Sequence, residues 1–222
     1  MPSATPAQVL TERQRSKQNS RPDRQFYRQP RFVQHVDERF RERLTRLYRA
    51  RLGTGDEVLD LMSSWVSHLP DDVDLDSVVG HGLNEDELAA NERLTDHFVQ
   101  DLNQTQELPL PDESFDTAVC ALSVQYLQSP AKVFAEVARV LQPGGTVIVS
   151  FSRWMFEQKA VQGWREASGT GRLDLVKRYL GATGDFNKAE VIREEAEGVS
   201  AFLPNAPDPF YAVCAQRRPR RA

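Results

Sequence analysis

The stretch ELPLPDESFDTAVCALSVQYLQSPAKVFAEVARVLQPGGTVIVSFS, residues 107–152, holds a strand, a helix and a second strand in immediate succession. The runs at 115–122 and 145–151 are rich in Val and Ala with little polar alternation, which is typical of parallel strands covered on both faces. Between them, Pro130 stands near the start of a helical pattern and Gly144 just past its end. This order predicts one unit of an open, mostly parallel α/β sheet.

The same alternation of strand-like and helical runs extends along the rest of the chain from residue 57. Asn84 precedes a run with acids in its first turn, which predicts a helix capped by its side chain. Alternating strands and helices favour a doubly wound sheet. Besides the two strands above, we predict strands at 57–62, 77–83, 97–102, 188–195 and 209–216.

Composition suits one soluble domain, since the 222 residues are 40% hydrophobic and 27% charged. No apolar run approaches the roughly 20 residues that cross a bilayer, and no apolar signal segment follows the N-terminus. The two cysteines, Cys120 and Cys214, each lie inside an apolar run, and the four histidines show no metal-ligand spacing. We therefore expect a cytoplasmic protein with packed thiols and no metal.

The N-terminal region is basic, because residues 1–51 carry 13 Lys and Arg against 5 Asp and Glu. Residues 1–24 are polar and rich in Arg and Ser, which predicts a disordered tail; a plastid or mitochondrial transit peptide is the alternative. In the following segment, 25–53, arginines alternate with apolar residues at helical spacing. This pattern favours an amphipathic helix with a solvated basic face over a nucleic-acid-binding surface.

Residues 107–152 resemble the second half of class I S-adenosylmethionine (SAM)-dependent methyltransferases. The likeness lies in LPLPDESFD, the strand after it, AEVARVLQPGG and the next strand, and is greatest to the type 11 branch, which includes quinone-biosynthesis and small-molecule methylases. It spans about residues 55–152 and, less clearly, 186–217. It implies a seven-stranded Rossmann-like sheet, mostly parallel, with the last strand antiparallel and inserted beside the fifth. It also implies one domain over 25–217, with 25–53 and the helical insertion 152–187 over the pocket, before a basic tail at 218–222.

The resemblance further implies that SAM binds at the carboxyl ends of the strands, leaving S-adenosylhomocysteine (SAH) as product. Asp60 matches the acid that ends the first strand, but the glycine positions of the next turn hold Met62, Ser63 and Ser64. Either the serines form a small polar turn that still binds the cofactor and caps a following helix, or Met62 and Trp65 close the site.

The next strands supply the remaining cofactor residues that the resemblance implies. Gly82 stands where the family has an acid for the ribose, and Asn84 is a substitute for it, with helix capping as the alternative role. Asp101 and Leu102 match the positions that contact adenine, and Ser123 follows the fourth strand. These residues complete the predicted cofactor site.

Methyl transfer needs an acceptor atom held in line and water excluded, and it needs a base only when the acceptor carries a proton. Tyr27 and His35, before the first strand, and Tyr126, after the fourth, are candidate bases; packing is the alternative role for each. We expect a SAM-dependent methyltransferase that acts on a small molecule. The alternative is a catalytically inactive methyltransferase-like binding or regulatory protein, or one that uses a different adenosine-type ligand.

Overall fold

A computed structural model describes residues 8–195 and 207–219. The strands are β1 (Glu57–Leu61), β2 (Ser77–Gly82), β3 (Asp96–Val99), β4 (Phe115–Ala121), β5 (Leu141–Phe151), β6 (Glu190–Glu194) and β7 (Phe210–Gln216). The helices are α1 (Glu12–Arg15), α2 (Asp23–Phe26), α3 (Glu38–Arg49), α4 (Glu85–Ala89), α5 (Pro130–Val140), α6 (Gln162–Arg165) and α7 (Gly169–Gly181), with a 3₁₀ turn at Val124–Tyr126. Among the described residues, no helix is long and apolar enough to span a bilayer.

The seven strands form one sheet in the order β3-β2-β1-β4-β5-β7-β6. Strands β1 to β5 pair in parallel, whereas β7 is antiparallel to both β5 and β6. The predicted Rossmann-like sheet with an antiparallel last strand beside the fifth is confirmed. The chain order reverses direction at β1, so the carboxyl ends of β1 and β4 flank the crevice in which such sheets bind ligands.

Alternate residues of each central strand enter two separate cores, one on each face of the sheet. Val58 packs in the core beneath α3, whereas Leu59 packs in the core on the side of α5 and α7. The buried thiols follow the same rule, with Cys120 of β4 and Cys214 of β7 on opposite faces. Burial on both faces explains why these strands have continuous apolar sequences.

The predicted disordered tail is wrong for residues 8–24, and residues 1–7 lie outside the described residues. Thr11 caps α1 through a capping box, and Leu10 is buried. The amide of Asn19 donates to the Gln158 carbonyl at 2.9 Å, and the amide of Gln162 donates to the Ser16 carbonyl at 2.8 Å. Partners about 140 residues away order this polar segment, and composition does not show them.

No helix follows β1, although the sequence suggested one. Residues 62–76, here called the β1–β2 loop, are all described and form turns and irregular backbone. His68 has φ 57° and Pro70 follows it, so neither position continues a right-handed helix. Strand β3 is also shorter than predicted and ends at Val99 instead of residue 102. The carbonyl of Asp101 accepts from the amides of Gln104 and Thr105, which turns the chain away from the sheet.

Candidate active site

A cavity of about 160 Å³ lies at the carboxyl ends of β1 to β4. One wall is a segment before α3, residues 21–36, here called the strap; Trp154 and Phe156 of the 152–187 insertion also line the cavity. All the residues predicted from the sequence lie on its wall: Tyr27, His35, Asp60, Met62, Ser63, Ser64, Asn84, Asp101, Leu102, Ser123 and Tyr126. The fold therefore brings the predicted set together, and the part that each residue plays remains a prediction.

The turn after β1 has left-handed geometry without a glycine. Met62 has φ 59°, a conformation that costs a residue with a side chain roughly 1 to 2 kcal/mol. Its amide donates to Nδ1 of His81 at 3.1 Å, and the amide of Ser63 donates to the His81 carbonyl at 2.6 Å. These two hydrogen bonds hold Met62 in the backbone conformation that glycine takes most easily.

His81 is a structural residue that the sequence did not single out as such. Its Nε2 lies 2.9 Å from the Gln100 carbonyl, while Nδ1 accepts from Met62. Burial lowers the pKa of His81 to about 4, so the ring is neutral at pH 7 with its proton on Nε2. One imidazole thus ties together the ends of β1, β2 and β3.

Both serine hydroxyls of the turn are used inside the protein. The hydroxyl of Ser63 donates to Oδ2 of Asp60 at 2.6 Å, and that of Ser64 donates to Oε2 of Glu87 at 2.5 Å. Burial raises the pKa of Asp60 to about 6, although the Ser63 bond opposes this. The serines therefore fix the turn to β1 and α4. Glu87, from the first turn of α4, is a site residue that the sequence reasoning missed.

Gly82 explains why no acid stands at the end of β2. A Cβ atom at this position would lie 2.8 Å from the Ser63 carbonyl oxygen and 3.1 Å from Cδ2 of Leu88. The first contact is too short for a side chain to fit unless the β1–β2 loop moves, whereas the second requires the Leu88 side chain to shift by a few tenths of an ångström. The absence of an acid at residue 82 is therefore linked to the turn without glycine, whose Ser63 carbonyl packs over the end of β2.

Asn84 links α4 to the strap. Its Oδ1 accepts from the Glu87 amide at 3.0 Å, which confirms the predicted helix cap, and its Nδ2 donates to the carbonyls of Tyr27 and Arg28 at 2.9 and 3.1 Å. A role in binding ribose would use Oδ1, which already accepts from the Glu87 amide.

The ends of β3 and β4 present two further predicted residues. Asp101 is buried, and its Oδ1 accepts from the Asn103 amide at 2.9 Å in a local turn. Ser123 is buried and donates to the Ala121 carbonyl at 2.9 Å. These local hydrogen bonds fix both side chains at the cavity wall.

A buried charge cluster anchors the strap, and little in the sequence indicates it. Asp23 accepts from Nζ of Lys17 at 2.5 Å, from Nζ of Lys159 at 2.8 Å and from Nδ2 of Asn103 at 2.8 Å. Burial alone would raise the pKa of Asp23, but Lys17, Lys159 and Asn103 hold it below its ordinary value. The one available signal is that Asp23 is one of two acids in the first 36 residues.

Aromatic rings form the outer part of the cavity. The Tyr27 ring lies 6.2 Å from that of Tyr126 and 6.1 Å from that of Phe156, and His35 stacks on Trp154 at 4.2 Å. Burial raises the pKa of Tyr27 well above its ordinary value and that of Tyr126 to about 12. Burial and the nearby Arg31 lower the pKa of His35. The two phenols are therefore donors at neutral pH, and the imidazole is a neutral acceptor.

Comparison with known proteins connects this geometry to one family. A family model described as a methyltransferase domain, of type 11, matches residues 63–149. The biotin biosynthesis bifunctional protein BioHC of Teredinibacter turnerae is 38% identical over 65 residues, which are 29% of this chain and 11% of that protein. Malonyl-[acyl-carrier protein] O-methyltransferase of Hahella chejuensis is 37% identical over 79 residues, 35% of this chain and 26% of that protein. The matched segments thus span about a quarter or less of these relatives.

Solved structures share the fold at low sequence identity. A chain of the Haloferax volcanii complex between the Trm112 methyltransferase activator and a methyltransferase has a TM-score of 0.59 at 14% identity, over 83% of this chain and 92% of that one. The [4+2]-cyclase SpnF has a TM-score of 0.58 at 18% identity, over 86% of this chain and 89% of that one. Haemonchus contortus phosphoethanolamine N-methyltransferase 2, solved with SAH and phosphomonomethylethanolamine, has 0.55 at 16% identity, over 81% and 52%.

The sheet topology and the matched central region lead to the same family. The match begins at Ser63, inside the turn after β1, and ends at Val149 in β5, so it contains most of the cavity wall contributed by the sheet. The central region thus matches the methyltransferase family model of type 11, and the whole sheet has the fold of the class I SAM-dependent methyltransferases, with a first turn that lacks glycine.

Proposed function

We propose that the cavity binds SAM and that the protein transfers its methyl group to a small-molecule acceptor. The left-handed turn at Met62 carries this proposal, because it gives the end of β1 a glycine-type geometry beside the cavity. When bound, SAM supplies an electrophilic methyl group on a sulfonium. Asp60, Glu87 and Asp101 line the cavity and give it an acidic wall that suits this positive charge.

Different parts of the cavity wall would contact different parts of SAM. Asp101 and Leu102, at the end of β3, would contact the adenine, and the turn at 62–64 would border the methionine portion. Gly82 offers no side chain to the ribose. The cavity is smaller than the roughly 300 to 1,000 Å³ of ligand pockets, at about 160 Å³, so the strap has to move outward before cofactor and acceptor enter.

His35 is the group best suited to take a proton from the acceptor. Its lowered pKa keeps it neutral at pH 7, whereas the raised pKa values of Tyr27 and Tyr126 keep both phenols protonated. For a hydroxyl acceptor, SAM would supply the methyl group, and His35 would take the proton that the hydroxyl loses as its oxygen is methylated. The rings of Trp154 and Phe156 exclude water around this step.

Calorimetry with SAM and SAH tests the proposal. We expect micromolar binding of both, and we expect Asp101→Ala to weaken each by about tenfold, the loss of one or two hydrogen bonds. Asp96→Ala is the matched control, because Asp96 is exposed at the opposite end of β3. Absence of binding heat from a well-folded protein would refute the proposal.

A binding protein that does not transfer methyl groups is the second candidate. It is favoured by the serine hydroxyls of the turn, which already donate to Asp60 and Glu87. The [4+2]-cyclase among the structural neighbours is named for a reaction other than methyl transfer. This candidate predicts that SAH or adenosine binds, while incubation with SAM and an acceptor panel yields no SAH.

A further inference from the structure

The cavity wall contains a cation that lacks a carboxylate partner. Arg31, in the strap, is the one Lys or Arg among the described lining residues. No Asp or Glu oxygen of the described ranges lies within 4 Å of its guanidinium; its backbone amide, not its side chain, donates to Glu87. The guanidinium donates to two carbonyls, those of Phe26 at 2.9 Å and Gln29 at 3.4 Å. Since arginine has five N–H donors, about three have no acceptor in the described part of the protein.

Three aromatic rings surround this guanidinium. Its Cζ atom lies 4.9 Å from the ring centre of Phe26, 5.3 Å from that of Phe156 and 5.7 Å from that of Tyr27. Aromatic rings near a guanidinium stabilise the cation but accept no conventional hydrogen bond from it. The remaining N–H groups can therefore donate charge-assisted hydrogen bonds to an anion.

A second donor on the same wall has no partner. The hydroxyl of Tyr27 is buried and makes no hydrogen bond in the described structure. Its raised pKa keeps the proton on the oxygen. A buried donor without an acceptor is costly, so a ligand that supplies an acceptor gains by binding there.

The acids of the wall do not compete for this position. Asp23 pairs with Lys17 and Lys159, Asp60 and Glu87 accept from the serines of the turn, and Asp101 accepts from the Asn103 amide. None of them pairs with Arg31 in the described structure, so this cation can pair with an anionic group of a second molecule.

We propose that the acceptor carries a carboxylate beside a planar apolar body. The carboxylate accepts from Arg31 and from the hydroxyl of Tyr27, and the planar body packs against Tyr126 and Phe156, with its methyl-accepting hydroxyl toward His35. The placement of the methyl-accepting hydroxyl near His35 rests on the proposed function. The carboxylate site does not, because it consists of Arg31 and Tyr27.

Binding of matched probes tests the carboxylate site directly. Calorimetry compares 2-naphthoate with 2-naphthamide and 2-naphthylmethylamine, each with and without SAH. We expect the carboxylate to bind at least tenfold more tightly than the amide, because a charge-assisted pair is worth about 1.5 to 3 kcal/mol. Equal binding of the carboxylate and the amide, or tighter binding of the amine, would overturn the proposal.

Variants show which residues cause the preference for the carboxylate over the amide. Arg31→Gln should remove this preference, and Arg31→Lys should restore part of it. Tyr27→Phe should weaken binding of the carboxylate about fivefold. Arg28→Gln is the control, since Arg28 is exposed on the same strap and absent from the cavity wall. A carboxylate preference that survives in both Arg31→Gln and Tyr27→Phe would also overturn the proposal.

The SAH measurements separate the two proposals. Arg31→Gln should leave the affinity for SAH within about twofold. If SAH fails to bind while the carboxylate preference persists, the proposed function fails and the carboxylate site stands. If SAH binds and no variant alters carboxylate binding, the proposed function stands and the carboxylate site fails.

Discussion

Met62 shows how a residue with a side chain can replace a glycine at a tight turn. Its φ of 59° is unfavourable, but its amide and that of Ser63 both donate to His81, and Met62 packs against the core. An unbranched side chain tolerates the left-handed region better than a β-branched one. The cost at residue 62 is therefore limited by the kind of side chain as well as by its hydrogen bonds.

Two variants of equal volume test this explanation. Met62→Ile should lower the free energy of unfolding by about 1 kcal/mol more than Met62→Leu, because only isoleucine is β-branched at a positive φ. Urea denaturation measures both. Equal losses would show that the left-handed conformation is not what limits the choice of residue.

The strap is the element whose position depends most on contacts distant in sequence. Its anchor, Asp23, is held by Lys17, by Asn103 after β3 and by Lys159, which is 0% exposed. Nζ of Lys159 also donates to the carbonyls of Asn19 and Arg21 at 3.2 and 2.5 Å. One ammonium thus binds three points of the N-terminal segment to the 152–187 insertion.

Removing that ammonium should release the strap. Lys159→Met leaves Asp23 paired with one lysine. We expect the free energy of unfolding to fall by about 2 kcal/mol, which is less than the 3 to 5 kcal/mol lost when a buried pair is fully broken. Hydrogen exchange should accelerate over residues 19–36 and stay unchanged in β4 and β5.

Lys177→Met is the control, because Lys177 is exposed in α7 and forms an exposed pair with Asp174. It should change the free energy of unfolding by less than about 0.5 kcal/mol. Unaltered exchange in the strap of Lys159→Met would contradict the anchoring role.

The strands and the loops differ in how well sequence predicts them. All seven predicted strands are present, and β1, β2, β4, β5 and β7 follow from apolar runs, because both faces of the sheet are buried there; the edge strands β3 and β6 are more exposed. The β1–β2 loop and the segment 8–24 were misjudged, since hydrogen bonds to His81, Gln158 and Gln162 determine their course. Such partners have no local signature.

At the scale of the whole molecule, buried titratable groups set how stability varies with pH. Burial lowers the pKa of His68 and His81 to about 4 from 6.5, so the unfolded chain binds more protons and stability falls as pH drops through that range. Asp60 acts the opposite way: with its pKa raised from 3.8 to about 6, it costs stability as pH rises between those values. Among these three groups, two histidines outweigh one acid, and the lowered pKa of His35 acts in the same direction as theirs, so stability rises with pH.

Urea denaturation between pH 4.5 and 6.5 tests this balance. The protein should gain on the order of 2 kcal/mol over the range, and His81→Gln should reduce the gain to less than about half, because glutamine does not titrate. His97→Gln is the control, as His97 forms a partly exposed pair with Glu85. An identical pH slope in His81→Gln would exclude His81 as a source.

The sequence by itself determined the class of fold and the strand positions, because burial in the central sheet and the order of strands and helices are written locally along the chain, and the resemblance supplied candidate residues that line the cavity. Only the tertiary structure decided how the turn after β1 works without glycine, why Gly82 replaces an acid and what holds the strap. Each of these depends on atoms that meet through folding: the Ser63 carbonyl above Gly82, His81 beneath Met62, and Asp23 between two lysines. Contacts between segments distant in sequence leave no periodic pattern in the sequence, so only the folded structure shows them.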